Sequence, residues 1–351
     1  VLAQLFDQGC ARVGGQAALM LTGAMAAFDG LREAARTAAE LAGRARDAGF
    51  IMNARRTLLP LPVIDRPAAP PRHVFPATRA RPALALRGKR VAVAGGAGGG
   101  RTVALIGVAR AFEEARVQPV LVSACSGSVL WAAMWAAGLS AREMADFSLS
   151  WRPQDYLGVQ WTRAPRAAIA AARGFAGIAK GPALESLFDR RLWHMTAGET
   201  EFALRTRVYN LDRRRLETFG SEQTPDLRLG ELVRIAMASP SEAVRVEGKL
   251  YVDGGTVEAQ PATRLMIEPL DQVFALDVSG RRDVRPDSRL IPVEPFDDLV
   301  SSGMDLYDLF IDRRRWPELM LAGYQAGRDA LTPFTRSPAQ RRARGREASG
   351  S

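Results

Sequence analysis

Residues 91–138 read VAVAGGAGGGRTVALIGVARAFEEARVQPVLVSACSGSVLWAAMWAAG. The opening Val91-Ala-Val-Ala is apolar without alternation, the pattern of a strand buried on both faces. A glycine-rich turn follows, Gly95-Gly-Ala-Gly98-Gly99-Gly100-Arg101, and Thr102 to Ala115 then reads as a helix. Val120-Leu-Val is a second strand, and Val129 to Ala137 is a second helix stopped by Gly138. Strand and helix alternating over so short a span predict an α/β layer structure with a largely parallel sheet. Further along, strands are expected at Phe202 to Tyr209, Leu250 to Val252, Val273 to Val278 and Leu290 to Val293. Residues 150 to 200 read as mainly helical, with Trp151, Trp161 and Trp193 as core or lid anchors, and residues 297 to 331 as terminal helices.

Upstream of this region the character changes. Residues 1–52 are Ala- and Leu-rich without proline, with Leu31, Ala35, Ala38 and Ala42 on one face, and predict an N-terminal helical extension packed on the domain. Residues 53–88 carry Pro60, Pro62, Pro67, Pro70, Pro71, Pro76 and Pro82 and read as an extended linker. The main α/β domain is then expected over 89–335. A disordered basic tail, with Arg341, Arg342, Arg344 and Arg346, is expected over 336–351.

A chain of 351 residues, 47% hydrophobic and 25% charged, can bury a large core without staples. Cys10 and Cys125 make no disulfide framework, and no Cys/His cluster has zinc-ligand spacing, so a reducing compartment is the default. The net charge of +10 is almost wholly arginine, because Lys89, Lys180 and Lys249 are the only lysines. An Arg- and Ala-rich composition reflects genome bias as readily as function, and no nucleic-acid partner is expected. No apolar run reaches the roughly 18 residues of a spanning helix. Ala17 to Phe28 is short, lacks a preceding basic run and has no small-residue cleavage site, which argues against a secretion signal. The expected setting is cytoplasmic, with peripheral contact to an anionic membrane or lipid granule through the helical extension and the tail.

Three motifs carry chemistry. Ser126, in Ser123-Ala-Cys-Ser126-Gly-Ser128, falls where a strand turns sharply into a helix, the position that best exposes a nucleophilic serine. Tyr251-Val-Asp253-Gly254-Gly255 ends another apolar run. The Gly95–Arg101 turn offers backbone N–H groups to an oxyanion. Together they point to acyl transfer to water.

A serine nucleophile needs a base, and the chain contains only His73 and His194. His73 lies in the proline-rich stretch and His194 in Leu192-Trp-His-Met-Thr, so neither has the strand-end setting of a triad histidine. A Ser126–Asp253 dyad is left. A solvated carboxylate titrates at about 3.9 and is a poor base, so Asp253 needs an apolar setting that raises its proton affinity. Taken alone, Asp-Gly-Gly is equally an ordinary turn. Ser123 and Ser128 lie off the turn, and Cys125, with no histidine beside it, reads as a small packing residue.

These motifs, in this order, resemble those of the patatin-like phospholipase family. There a Gly-Gly-Gly-x-Arg/Lys-Gly oxyanion loop precedes a Gly-x-Ser-x-Gly elbow, and Asp-Gly-Gly or Asp-Gly-Ala closes the dyad. The similarity extends to Gly107-Val-Ala-Arg-Ala-Phe112, Ala136-Ala-Gly-Leu-Ser-Ala141, Ile235-Ala-Met-Ala-Ser-Pro240 and the approach to Asp253, over about residues 89–300. The resemblance implies a three-layer α/β/α sandwich with a mainly parallel sheet and a lipid acyl hydrolase of the phospholipase A or lysophospholipase type. It implies Ser126 as nucleophile, Asp253 as base, Gly98, Gly99 and Gly100 as oxyanion donors and Arg101 as the family's basic residue, with no metal or organic cofactor. Ala97 and Thr102 replace the loop's outer glycines, and Ala124 and Ser128 replace the outer residues of the elbow. All four are small, so the turns are still buildable, but a catalytically degenerate binding or regulatory protein is an alternative. A second alternative is a nucleotide site. Gly95-x-x-x-x-Gly100-Arg101-Thr102 follows the P-loop pattern with Arg in place of Lys, and Val273-Phe-Ala-Leu-Asp277 passes for a Walker B strand.

Overall fold

The Val91-Ala-Val-Ala run becomes β1 (Val91–Gly95), buried at every position as a central parallel strand must be. The structure, a computed structural model, describes residues 74–151, 181–238, 243–278, 287–296 and 315–335. Contacts divide the chain into Val1–Pro67 and Ala68–Ser351. The expected N-terminal helices, the start of the linker, Trp161 and the basic tail lie outside the described residues.

After β1 come a 3-10 turn over Gly99–Val103, α1 (Ala104–Ala115), β2 (Leu121–Ala124), α2 (Ser128–Ala136) and α3 (Ala141–Ser150). Then follow α4 (Gly181–Arg191), β3 (Ala203–Asn210), β4 (Arg215–Gly220), α5 (Leu229–Ala236), β5 (Val244–Val246) and β6 (Lys249–Asp253). The described chain closes with α6 (Ala262–Leu265), β7 (Gln272–Leu276), β8 (Leu290–Val293) and α7 (Trp316–Thr335). The strands form one mixed sheet in the order β5-β6-β3-β2-β1-β7-β8, with β4 also paired to β3. From β3 to β8 every pairing along that path is parallel, and β4, β5 and β6 form an antiparallel wing.

One face of the sheet carries the main core, under α1, α2, α3, α5 and α7. α2 is apolar on all sides and all nine of its residues are buried, so it is an interior helix and not an amphipathic one. α3 opens with a reciprocal cap, in which Glu143 N–H donates to the Ser140 hydroxyl and Ser140 N–H to the Glu143 carboxylate. Among the described residues α6 is the helix that packs on the opposite face, against Ala92, Ala94, Leu121, Val273 and Ala275.

α7 lies against α1 at backbone contact. A Cβ on Gly107 would overlap the Met320 carbonyl, and one on Gly323 would overlap that of Ala104. Beside this contact Glu114, buried on α1, accepts hydrogen bonds from Tyr324 Oη at 2.5 Å and Thr78 Oγ1 at 3.0 Å. Thr78 belongs to the stretch read as linker. From Val74 onward that stretch is laid on the domain, because Arg81 N–H and Ala83 N–H donate to the Glu114 and Ala115 carbonyls and Ala83 and Leu86 are buried. Among its described residues the stretch forms a single 3-10 turn over Leu84–Leu86 and packs in spite of its prolines. Trp151 is buried as expected of an anchor, whereas Trp193 is 87% exposed.

Candidate active site

β3 has room for only two flanking edges, and β4 occupies one along Arg205–Asn210. β2 pairs with β3 up to Ala124 opposite Thr206, and β6 pairs with it from the other direction, ending at Asp253 opposite Val208. Both overlap β4 in register, so both lie on the other edge and their C-terminal ends meet head-on. This places Ser126, just past β2, beside Asp253, the last residue of β6.

The turn at Ser126 is tight. Its φ is +51°, in the left-handed region that costs a non-glycine residue energy and persists only where the surroundings hold it. The Cys125 N–H donates to the Gly95 carbonyl at 3.1 Å, and the Val129 N–H donates to Ser126's own carbonyl at 3.0 Å, which starts α2. Ser126 keeps partial exposure while its neighbours on both sides are buried. Its hydroxyl donates to the Asp253 carboxylate.

Asp253 is 2% exposed. Burial pushes its carboxyl up to about 6, against the opposing pull of the Ser126 hydroxyl and the Gly255 N–H, whose hydrogen bond to Oδ1 is 2.7 Å. A Cβ on Gly255 would stand 3.0 Å from both Asp253 Oδ1 and Ser126 Cβ, so glycine lets the turn close over the pair. Gly254 is pressed against the Arg207 carbonyl, where a side chain has no room.

The glycine turn borders the elbow. Gly96 N–H is held by the Leu276 carbonyl at 3.0 Å and Ala97 N–H by the Ala259 carbonyl at 2.7 Å. The 3-10 turn beginning at Gly99 leaves its first N–H groups without an acceptor inside the turn, as every helix start does. Arg101 is half-buried; burial lowers its proton affinity and Asp277, at the end of β7, partly restores it. The aspartate that resembled a Walker B residue is thus electrostatically coupled to Arg101.

The four departures from the family's glycines fit one another. The enlarged elbow residue Ser128 lies against loop glycines: a Cβ on Gly95 would be 2.9 Å from its Cβ, and its hydroxyl donates to the Gly96 carbonyl at 2.6 Å. Conversely the enlarged loop residue Thr102 lies against the elbow glycine, with Oγ1 2.7 Å from where a Cβ on Gly127 would stand. Ala124 faces Gly95 and Ala97 faces Gly255. Volume lost on one segment is recovered on the other.

The rival nucleophiles are accounted for. Ser123 is buried within β2, Ser128 has its hydroxyl committed, and burial together with Asp253 and Glu258 pushes the Cys125 thiol well above its ordinary range. His194 is exposed beside Asp189, at 3.6 Å, and His73 lies outside the described residues. Sequence reading missed Gln260, a buried amide that donates to the Leu276 carbonyl at 2.9 Å and ties the segment after Asp253 to β7. It also missed Ala259, whose carbonyl accepts from both Ala97 N–H and the Cys125 thiol. Nothing in the sequence set Gln260 apart from its polar neighbours Thr256 and Glu258, and a backbone carbonyl leaves no mark in sequence.

Residues 93–266 match the family model described as patatin-like phospholipase. This stretch is a patatin-like phospholipase domain. The match takes in the glycine turn, the elbow and Asp253 together, which the nucleotide reading leaves apart, and the activity the family supports is lipid-ester hydrolysis. Among curated proteins nothing matches the chain. Of solved structures, VipD from Legionella pneumophila is similar at 12% identity and TM-score 0.43, over 70% of this chain and 67% of that one. The type III effector ExoU is similar at 15% identity and TM-score 0.44, over 74% of this chain and 54% of that one. Full-length ExoU in complex with SpcU, from Pseudomonas aeruginosa, gives 13% identity and TM-score 0.39, over 74% of this chain and 54% of that one. The chain thus spans about half to two thirds of these proteins, and at such scores they carry no argument about this patatin-like domain.

Proposed function

We propose that the protein is a serine acyl hydrolase that cleaves lipid carboxylic esters through a Ser126–Asp253 dyad. The observation that carries this reading is a strained, partly exposed serine donating to a buried carboxylate whose affinity for a proton is raised to about 6. A base must take the serine proton during attack, which a carboxylate near 6 does better than one near 4, and its conjugate acid is still far stronger than the departing alcohol and returns the proton to it. In the reaction Asp253 takes the Ser126 proton as Oγ attacks the acyl carbonyl. The N–H groups of Gly98, Gly99 and Gly100 receive the developing oxyanion, with the Arg101 charge behind them. Collapse of the tetrahedral intermediate expels the alcohol, which takes the proton from Asp253. Water, deprotonated by Asp253, then attacks the acyl-enzyme and releases the carboxylic acid and Ser126.

The complementary packing of Thr102 and Ser128 favours a working site over a degenerate one, since the altered positions fill space that facing glycines leave open. Intact-mass measurement after treatment with a fluorophosphonate tests the reading. One adduct on Ser126, absent in Ser126→Ala and slower in Asp253→Asn, is expected; a folded wild type without adduct overturns it. The proposed setting is cytoplasmic with peripheral lipid contact. Flotation of the full chain with phosphatidylglycerol vesicles but not with phosphatidylcholine vesicles is expected, and equal recovery in both removes the anionic preference.

A further inference from the structure

Thr102 takes the place of the glycine that closes the family's oxyanion loop, and it is fully buried. Its hydroxyl donates to the Gly99 carbonyl at 2.6 Å and accepts the Trp131 indole N–H at 2.9 Å. With its proton committed and a lone pair occupied, this hydroxyl holds one orientation. Trp131 is equally fixed. It lies in α2, 2% exposed, stacked on Trp151 with ring centroids 5.5 Å apart and edge-on to Trp316 at 5.6 Å.

The Gly99 carbonyl that receives this hydrogen bond also faces the elbow, 2.6 Å from where a Cβ on Gly127 would stand. A trans peptide is planar, so its C=O and the following N–H point in opposite directions. Holding the Gly99 carbonyl against the elbow therefore fixes the direction of the Gly100 N–H. Without such a tie the Gly98-Gly99-Gly100 run is poorly held, because glycine lacks the Cβ that restricts φ and ψ, and Gly99 itself sits at φ +57°. A preorganised donor contributes to catalysis because it need not reorient as charge develops.

We propose that the Thr102 hydroxyl and the Trp131 indole form a positioning relay that sets the Gly99–Gly100 peptide for the oxyanion. The inference rests on the Ser126–Asp253 reading above. Both residues act through the peptide and not on the reacting atoms. The substitution that looked like a loss of the family's glycine therefore supplies a constraint that glycine does not have.

The test uses the full chain and p-nitrophenyl butyrate, with wild type, Thr102→Val, Thr102→Ser, Trp131→Phe and the valine–phenylalanine double variant. Thr102→Val keeps the shape and removes the hydroxyl; kcat is expected to fall about tenfold with KM within about twofold. Thr102→Ser restores the hydroxyl and is expected to recover most of kcat. Trp131→Phe keeps an aromatic ring in the cluster and removes the N–H, so it reports on the relay even where valine lowers the melting temperature. Because both variants cut one chain, the double variant should be no slower than the slower single. Wild-type kcat in Thr102→Val, a serine variant as slow as valine, or losses that multiply would each overturn the relay. Fluorophosphonate labelling separates the two layers of the argument. No label on Ser126 of wild type removes the reading beneath, whereas label on wild type with an unchanged rate in Thr102→Val removes the relay alone.

Discussion

Two regions of this molecule bring chain segments closer than a side chain would allow, and they do so for different ends. Between α1 and α7, Gly107 and Gly323 meet the backbone carbonyls of Met320 and Ala104. At the site, Gly95, Gly127 and Gly255 meet the side chains of Ser128, Thr102 and Ser126, and of the three Gly127 alone also meets backbone, the Gly99 carbonyl. Helix backbone cannot yield by a fraction of an ångström without breaking its own hydrogen bonds, so crowding between α1 and α7 is paid in stability. Side chains at the site can yield, but they hold the reacting groups, so crowding there is felt in rate.

The largest expected effect lies wholly on the rate side. Ser126→Ala should lower ester hydrolysis by about 10³-fold or more while the melting temperature stays within about 2 °C of wild type. A comparable loss of stability would show that the elbow belongs with the helix pair. Next, Gly323→Ala should cost about 3 kcal/mol, lowering the melting temperature by about 6–12 °C, while the folded fraction is labelled at the wild-type rate. Slower labelling of that fraction would dissolve the distinction between the two regions.

Asp253 sharpens the comparison because rate and stability should move in opposite directions. Its carboxyl is raised from 3.8 to about 6 by burial, so the stability linked to it is complete below 3.8 and is lost as pH rises through about 6. Roughly two pKa units correspond to about 3 kcal/mol as an upper bound. Asp253→Asn should therefore be inactive yet more stable than wild type at pH 8, with the difference vanishing below about pH 4 by chemical denaturation. In wild type the same titration should make kcat/KM fall about tenfold for each pH unit below about 6. An acid limb centred near 4 would remove burial as the source of basicity. Smallest, Gly255→Ala asks its neighbours to give by tenths of an ångström, and about a tenfold drop in kcat is expected, with stability changed by less than about 1 kcal/mol. An unchanged kcat would show that the turn has slack.

Much of this was legible because it depends on local pattern. The unbroken apolar run Val91 to Ala94 declared a central strand, and the Ser126 turn was visible as a strand signal running straight into a helix signal. β4 and β5 were not foreseen. Arg215-Leu-Glu-Thr-Phe-Gly carries two charges, and Val244-Arg-Val is only three residues long, so neither offers the apolar density by which strands are recognised. Asp253 could be named but not distinguished from a turn residue, because what raises its proton affinity is burial by segments remote in sequence. The role of Thr102 was hidden for the same reason: as a departure from a glycine pattern it read as a defect, and only its contacts with Gly99, Gly127 and Trp131 show it as half of a fit.

Nucleophile and base are both measured off one strand, β3, and that has a consequence for how the sequence can vary. The joints between β4, α5 and β5 can lengthen or shorten without altering the alignment of the two, since the pairings of β2 and β6 with β3 do not run through them. A single residue added or deleted within Lys249–Asp253 is another matter, because a one-residue slip turns every side chain of a strand to the other face and would carry Asp253 away from Ser126. Three paired residues, Tyr251 to Asp253, thus bear the constraint that the joints escape, and insertions in relatives of this domain are expected to collect in the joints and spare the ladder.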